Sequence, residues 1–263
     1  MEIIQIYYFY FFVIGLVVGS FLNVLIDRLP EDRSVIFGRS RCDSCKKKIP
    51  LSDLVPLLSF VVLKGICRYC KSPIGWRTPI VELTTGLLFV LVFLYNSNNT
   101  PALHSAGVLT LLTQLIVVSG LIAIFFIDLK HGIIPDIIVF PTTVIAFLYL
   151  LLNTQYLIPN TLSGLGAFLF FLSLFLLTKG KGMGFGDVKL SFLLGIFLGF
   201  PKIVAGLYLS FLSGAVISLI LITLRKKTLK QTVPFGPFLV AGTIAAFFLD
   251  DAIKVILPFL DIL

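Results

Sequence analysis

The sequence predicts an all-α polytopic membrane protein, with about eight transmembrane helices and one zinc-ribbon-like polar insert. Three observations carry that prediction. The chain is 58% hydrophobic and only 13% charged over 263 residues, more apolar material than a soluble domain of this length needs. Its mean hydropathy is +1.06. The apolar residues fall in runs separated by shorter polar connections, and the basic residues gather in alternate connections.

The runs follow in order. Ile3–Ile26 has no basic leader and no small-residue cleavage site, so it reads as a retained helix rather than a removed signal peptide. Its Gly15-x-x-x-Gly19 pair predicts a close helix contact, and Ser20 and Asn23 after it, like Glu82, read as polar groups bonded to neighbouring helices. The later candidates are Pro79–Tyr95, Ala106–Ile127, Ile137–Leu152, Leu162–Leu177, Val188–Phe200, Ile203–Leu224 and Phe235–Leu249. Amphipathic Asp250–Leu263 extends the last run or lies on the surface. The organisation expected is a first helix (1–26), a polar insert (27–78) and a helical domain (79–263).

Alternation of the eight runs places Asp27–Thr78, Asp128–Asp136, Lys179–Asp187 with Lys189, and Arg225–Pro234 on one side. Those segments hold 19 of the 21 Lys and Arg residues, against Lys202 and Lys254 on the other. The positive-inside rule makes that side the cytoplasm and puts both termini outside. The net charge of +8 is therefore orientation information, and membrane lipid rather than nucleic acid is the expected surrounding partner. His104 and His131 fall on opposite faces and share no metal. No internal repeat is legible.

The insert carries all four cysteines, as Cys42-Asp-Ser-Cys45 and Cys67-Arg-Tyr-Cys70 with 21 residues between the pairs. Two such pairs at this spacing suit one tetrahedral zinc ion, each forming a knuckle whose thiolates point at the metal. Two disulfides are the alternative, and a reducing cytosol disfavours them. Arg41, Lys46, Arg68 and Lys71 are expected to lower the thiol pKa values. A metal would also contribute folding free energy that so small an insert cannot draw from a core of its own.

Two carboxylates stand at the mouths of apolar runs. Asp187 ends the glycine-rich run Gly182-Met-Gly-Phe-Gly-Asp187, and Asp128 follows Ile127, both on the expected cytoplasmic side. Ionisable groups at such places are costly and mark function, and two that meet can share one proton and activate a water, as in aspartic proteases. Asp187 also stands where an N-cap of a helix beginning at Val188 would, with the glycines as its loop. Gly182, Gly184 and Gly186 would let that loop approach a substrate or move, with Lys130, Asp136 and Lys189 as supporting charges. The glycines have no preceding strand and no Lys-Ser/Thr, so they are not a nucleotide loop.

Taken together, the chain resembles the bacterial prepilin peptidase family (type IV leader peptidases) over nearly its whole length. The likeness rests on Gly19-Ser-Phe-Leu-Asn-Val24, Arg28-Leu-Pro30, the four cysteines, Asp53-Leu-Val-Pro56, Gly65 and Pro79-Ile-Val-Glu-Leu83. It continues through Asp128, Ile134-Pro-Asp136, Gly184-Phe-Gly-Asp-Val-Lys189 and Pro234-Phe-Gly-Pro-Phe238. The resemblance implies an enzyme of the cytoplasmic (inner) membrane that removes the leader of type IV prepilins or pseudopilins after Gly. It implies Asp128 and Asp187 as catalytic residues. It also implies methylation of the new α-amine with S-adenosylmethionine, dependent on the insert, its cysteines and Gly65. A presenilin-type protease shares Gly-x-Gly-Asp, but the N-terminal insert argues against it; a membrane scaffold or transporter component would leave both aspartates as helix caps.

Overall fold

In a computed structural model the described residues are 2–35, 37–99, 105–224 and 233–249. They form helices, short 3-10 turns and two isolated β-bridges, with no other strand pairing among the described residues. The chain divides into two compact units, Met1–Ala123 and Ile124–Leu263.

The first unit pairs α1 (Glu2–Arg28) with α3 (Arg77–Asn99) and holds the insert between them in sequence, with the short α2 (Leu58–Val62) inside it. The Gly15/Gly19 face is the contact that brings α1 and α3 together. A Cβ at Gly15 would lie 2.7 Å from Gly86 Cα, and one at Gly19 2.7 Å from Glu82 Cα. Only hydrogen fits there, and close backbone approach is how helices gain packing energy where lipid removes the hydrophobic drive. Further along the pair Phe11 stacks on Phe93 with centroids 4.6 Å apart. Near the insert, Asn23 Nδ2 donates to Thr78 O at 3.1 Å, the inter-helix polar bond expected of it.

The helix α4 (Ser105–His131) begins in the first unit, and its last turns open the second. There follow α5 (Asp136–Leu152), α6 (Thr154–Leu177), α7 (Phe185–Leu198), α8 (Lys202–Thr223) and α9 (Gly236–Phe248). Glycine crossings recur: a Cβ at Gly195 of α7 would fall 2.5 Å from Gly164 Cα of α6, and one at Gly242 of α9 2.5 Å from Gly206 O of α8. Around them Phe171, Leu190, Leu193, Leu194, Ile196 and Leu239 are fully buried.

Each of the eight expected spans falls on a helix, but the count of eight transmembrane helices does not follow. Among the described residues five helical segments are long and apolar enough to cross a membrane: Gln5–Glu31, Arg77–Ser97, Gly107–His131, Thr154–Leu177 and Lys202–Thr223. α5, α7 and α9 have 17, 14 and 13 residues. At about 1.5 Å per residue each is shorter than a hydrocarbon core of about 30 Å. Two helix starts also differ from expectation by three residues or more. α6 starts at Thr154 rather than Leu162, carrying Pro159 inside it, because a helix can continue through polar residues that a hydropathy reading discards. α7 starts at Phe185 rather than Val188, which changes the meaning of Asp187. The segment Asp250–Leu263, His104 and most of Arg225–Pro234 lie outside the described residues.

Candidate active site and metal centre

In the second unit, α4 ends in a tight turn at Gly132, where φ is +68° and the backbone N–H donates to Asp128 O at 2.8 Å. Pro135 then caps α5. Asp128 thus sits within the last turns of α4, not beyond them, and is 4% exposed. Asp187 is 6% exposed and occupies the third position of α7, so it is not the N-cap. Gly184 holds that place, and its backbone N–H donates to Asp187 Oδ2 at 3.2 Å. The side chain therefore caps its helix from inside with one oxygen and leaves the other over.

The remaining oxygens are the unusual feature. Asp128 Oδ2 and Asp187 Oδ1 are both buried, and neither has a hydrogen-bond partner among the described residues. The two groups are also close enough for the charge of Asp128 to act on Asp187. A buried polar atom without a partner costs roughly 1–3 kcal/mol, more if charged. Two of them in one place have no packing rationale, and helix capping accounts for neither.

Two further residues complete the surroundings. The backbone of Gly236, first residue of α9, faces Asp128 so closely that a Cβ there would lie 2.5 Å from Oδ2. Ile134, in the α4–α5 turn, packs against Gly186, where a Cβ would lie 2.9 Å from Ile134 Cβ. Sequence reading quoted both positions only as landmarks. The one local signal was the Pro-Phe-Gly-Pro entry to an apolar helix, a place where a glycine lets something approach. Gly186 is needed for this contact rather than for a special backbone angle; Gly182 packs on Thr178, with its Cβ position 3.0 Å from Thr178 Cγ2. Lys189 pairs with Asp136 and lies 5.8 Å from the Phe140 ring centroid and 5.6 Å from that of Phe185. It thereby ties the start of α5 to α7.

In the first unit the four cysteines converge. Their Sγ atoms all lie within 4.8 Å of one another, and Cys42 and Cys70 are 3.7 Å apart. Sulfurs about 2.3 Å from a tetrahedral ion would be separated by nearly that distance, so the donor set fits zinc. All four are free thiols. The two knuckles are copies of one another displaced by 25 residues, a local repeat that sequence reading missed. Cys42 N–H donates to Lys47 O as Cys67 N–H does to Ser72 O, at 3.1 and 2.8 Å. Ile49 N–H donates to Ser40 O as Ile74 N–H does to Gly65 O. Lys46 and Lys71 both take φ near +60°, and the bridges Arg41–Lys48 and Ile66–Pro73 close the two turns. The shared pattern is only Cys-x-x-Cys-Lys-x-x-Ile, too short to stand out without the geometry.

The thiol chemistry comes mainly from local donors rather than from the basic residues expected to supply it. The backbone amide of Cys45 leads in drawing Cys42 down to about 6, helped by the Ser72 hydroxyl and opposed by burial. Cys70 is lowered chiefly by Ser72, whose Oγ is 3.1 Å from its sulfur. For Cys45 the amide of Lys47 pulls down, but burial and the three other thiols outweigh it and push the group up to about 11. Four thiols so close do not all ionise without a cation, and a bound metal would deprotonate them together. Arg68 is engaged elsewhere, as a two-pronged partner of Asp53 at 2.8 and 2.5 Å. Gly65 takes φ +70° after α2, and a Cβ there would meet Phe60 Cζ at 3.1 Å, where Phe60 packs on Trp76. Glu82 accepts the N–H of Leu57 at 2.8 Å and so anchors the Asp53–Pro56 segment to α3.

Known proteins resemble this chain in sequence. Residues 13–96 match the bacterial peptidase A24 N-terminal domain, and residues 115–219 match the type IV leader peptidase family. A prepilin leader peptidase/N-methyltransferase of Aeromonas salmonicida is 35% identical, over 93% of this chain and 92% of its own length. The chain belongs to the type IV leader peptidase family. Proteins of the same description from Pseudomonas aeruginosa and Legionella pneumophila are 33% and 35% identical, each over 94% of this chain and 92% and 94% of their own lengths. As a member of the type IV leader peptidase family, the chain is a peptidase with apolar membrane-span helices. No solved structure matches.

Proposed function

We propose that this enzyme is an aspartic endopeptidase that removes the leader of type IV prepilins or pseudopilins after Gly and then methylates the exposed α-amine. The observation that carries the protease reading is the pair of buried, partnerless oxygens, Asp128 Oδ2 and Asp187 Oδ1, on two helices of one unit. With one proton between the two carboxyls, the ionised one takes a proton from water as its oxygen attacks the scissile carbonyl. The protonated one donates a hydrogen bond to the carbonyl oxygen. Collapse of the tetrahedral intermediate returns protons in the opposite sense, so the new amine leaves protonated and the pair is reset. A prepilin has an apolar helix behind its cleavage site. A site near the cytoplasmic boundary suits a substrate whose basic leader stays in the cytoplasm, and the distribution of Lys and Arg supports that side.

Cys42, Cys45, Cys67 and Cys70 would hold zinc, which supplies the fold of the insert rather than chemistry. S-adenosylmethionine would supply the methyl group; among the described residues no glycine-rich loop follows a strand to receive it. On this reading Gly65 and the cysteines serve the methylation, as the family resemblance implies. The protease reading is tested by Asp128→Asn, Asp187→Asn and the double variant on a purified prepilin. Residues that act as a unit are non-additive, so all three should lose similar amounts, at least ~10³-fold in cleavage. Full cleavage by either single variant would remove the pair from the mechanism.

A further inference from the structure

Ile134 lies between Gly236, which faces Asp128, and Gly186, which precedes Asp187. A Cβ on Gly236 would lie 2.5 Å from Asp128 Oδ2 and 3.3 Å from Ile134 Cδ1, so the carboxylate oxygen and the end of the isoleucine flank one point. On its other side Ile134 reaches the backbone just before Asp187, with a Gly186 Cβ placed 2.9 Å from Ile134 Cβ and 3.4 Å from Cδ1. Two glycines beside the aspartates, Gly186 and Gly236, are thus matched to this one side chain, and a Cβ on either would collide with it or with Asp128. Ile134 is also held in place. Pro135 caps α5 directly after it, and the next residue, Asp136, is paired with Lys189 of α7.

On the protease reading above, a peptide bond presented to Asp128 Oδ2 and Asp187 Oδ1 brings the residue before it against this wall. We infer that Ile134 is a specificity-determining residue, whose side chain occupies the space that a Cβ on the residue before the scissile bond would need. Glycine is accepted because it asks for no such space. One methyl group in an apolar contact is worth ~10–200-fold in selectivity, which is enough to enforce the choice.

The test is the ratio of kcat/KM for one prepilin carrying Ala, or Val, to that for the same prepilin carrying Gly at this position. It uses the full-length protein in lipid-containing detergent. The unaltered enzyme should favour Gly strongly over Ala. Ile134→Ala should raise the Ala-to-Gly ratio by about tenfold or more, with Val improved less. Ile134→Val, which removes only Cδ1, should relax the ratio less in the same direction, and it decides the matter if the alanine variant cleaves nothing. Ratios unchanged in the active variants, or an unaltered enzyme indifferent between Gly and Ala, would overturn the inference while leaving the protease reading intact. An unaltered enzyme that cleaves no prepilin would instead bring down the protease reading, and this one with it.

Discussion

The cysteine site and the aspartate site are assembled in opposite ways. The four cysteines span 29 residues, and each knuckle is closed by backbone bonds reaching no further than nine residues along the chain. The two aspartates lie 59 residues apart on different helices, and the glycine that touches one of them is 108 residues beyond it. The first site forms from short-range backbone geometry, and a bound cation would reward the convergence. The second exists only after α4, α7 and α9 have come together at the contacts Gly186–Ile134 and Gly236–Asp128. Local sites should therefore fail with the loss of one ligand, and assembled sites with the loss of one contact.

The sharpest way to break this comparison is to damage each site and read both reactions. Asp187→Asn should stop leader removal, by at least ~10³-fold, yet permit methylation of a pilin supplied already cleaved. Cys67→Ser should do the reverse, releasing zinc and abolishing methyl transfer while much of the cleavage survives, because the glycine crossings of the second unit do not depend on the metal. Mass spectrometry of the pilin N-terminus separates the two products, and metal analysis should find about one zinc per chain before the change and none after. If Cys67→Ser removed cleavage as completely as methylation in a normally inserted protein, the two-site division would have to be abandoned.

A smaller effect is expected from contact alone. Gly236→Ala puts a methyl 2.5 Å from Asp128 Oδ2 without altering any titratable group. Displacing a catalytic carboxylate by about 1 Å costs ~10²-fold, so kcat for cleavage should fall by that order while zinc content and methylation of cleaved pilin are unchanged. Gly65→Glu is the counterpart in the insert: it forces a side chain into a left-handed position against Phe60. It should abolish methylation and lower zinc retention with cleavage largely kept.

The smallest expected effect concerns acid. The Arg68 guanidinium, bonded through two nitrogens, holds Asp53 below its ordinary value. A depressed carboxylate contributes stability above its unfolded pKa of about 4, and that contribution is lost as pH falls through the lower folded value. The insert should thus loosen below about pH 4, and Asp53→Asn should flatten that limb. Thermal unfolding of the purified protein followed by tryptophan emission reports it directly, since Trp76, the one tryptophan, packs on Phe60 of the insert. An acid limb unchanged in Asp53→Asn would assign the loss to other groups.

The sequence by itself determined the class of protein, the convergence of four cysteines, the packing face Gly15/Gly19 and the two carboxylates to watch. All are written in composition or in spacings short enough for helix and turn periodicity to act on. It gave eight apolar runs but not eight crossings, because hydropathy reports where a chain is apolar and not how long its helix grows. It also left an N-cap as a second reading of Asp187 and hid the 25-residue echo of the knuckles, which lives in backbone bonds more than in side chains. Only the tertiary structure decided that Asp187 turns one oxygen back to Gly184 and leaves the other free, that Gly236 meets Asp128, and that Ile134 stands between. The Gly236–Asp128 and Ile134–Gly186 contacts join residues that no local rule relates; the packing of helix on helix brings them within reach.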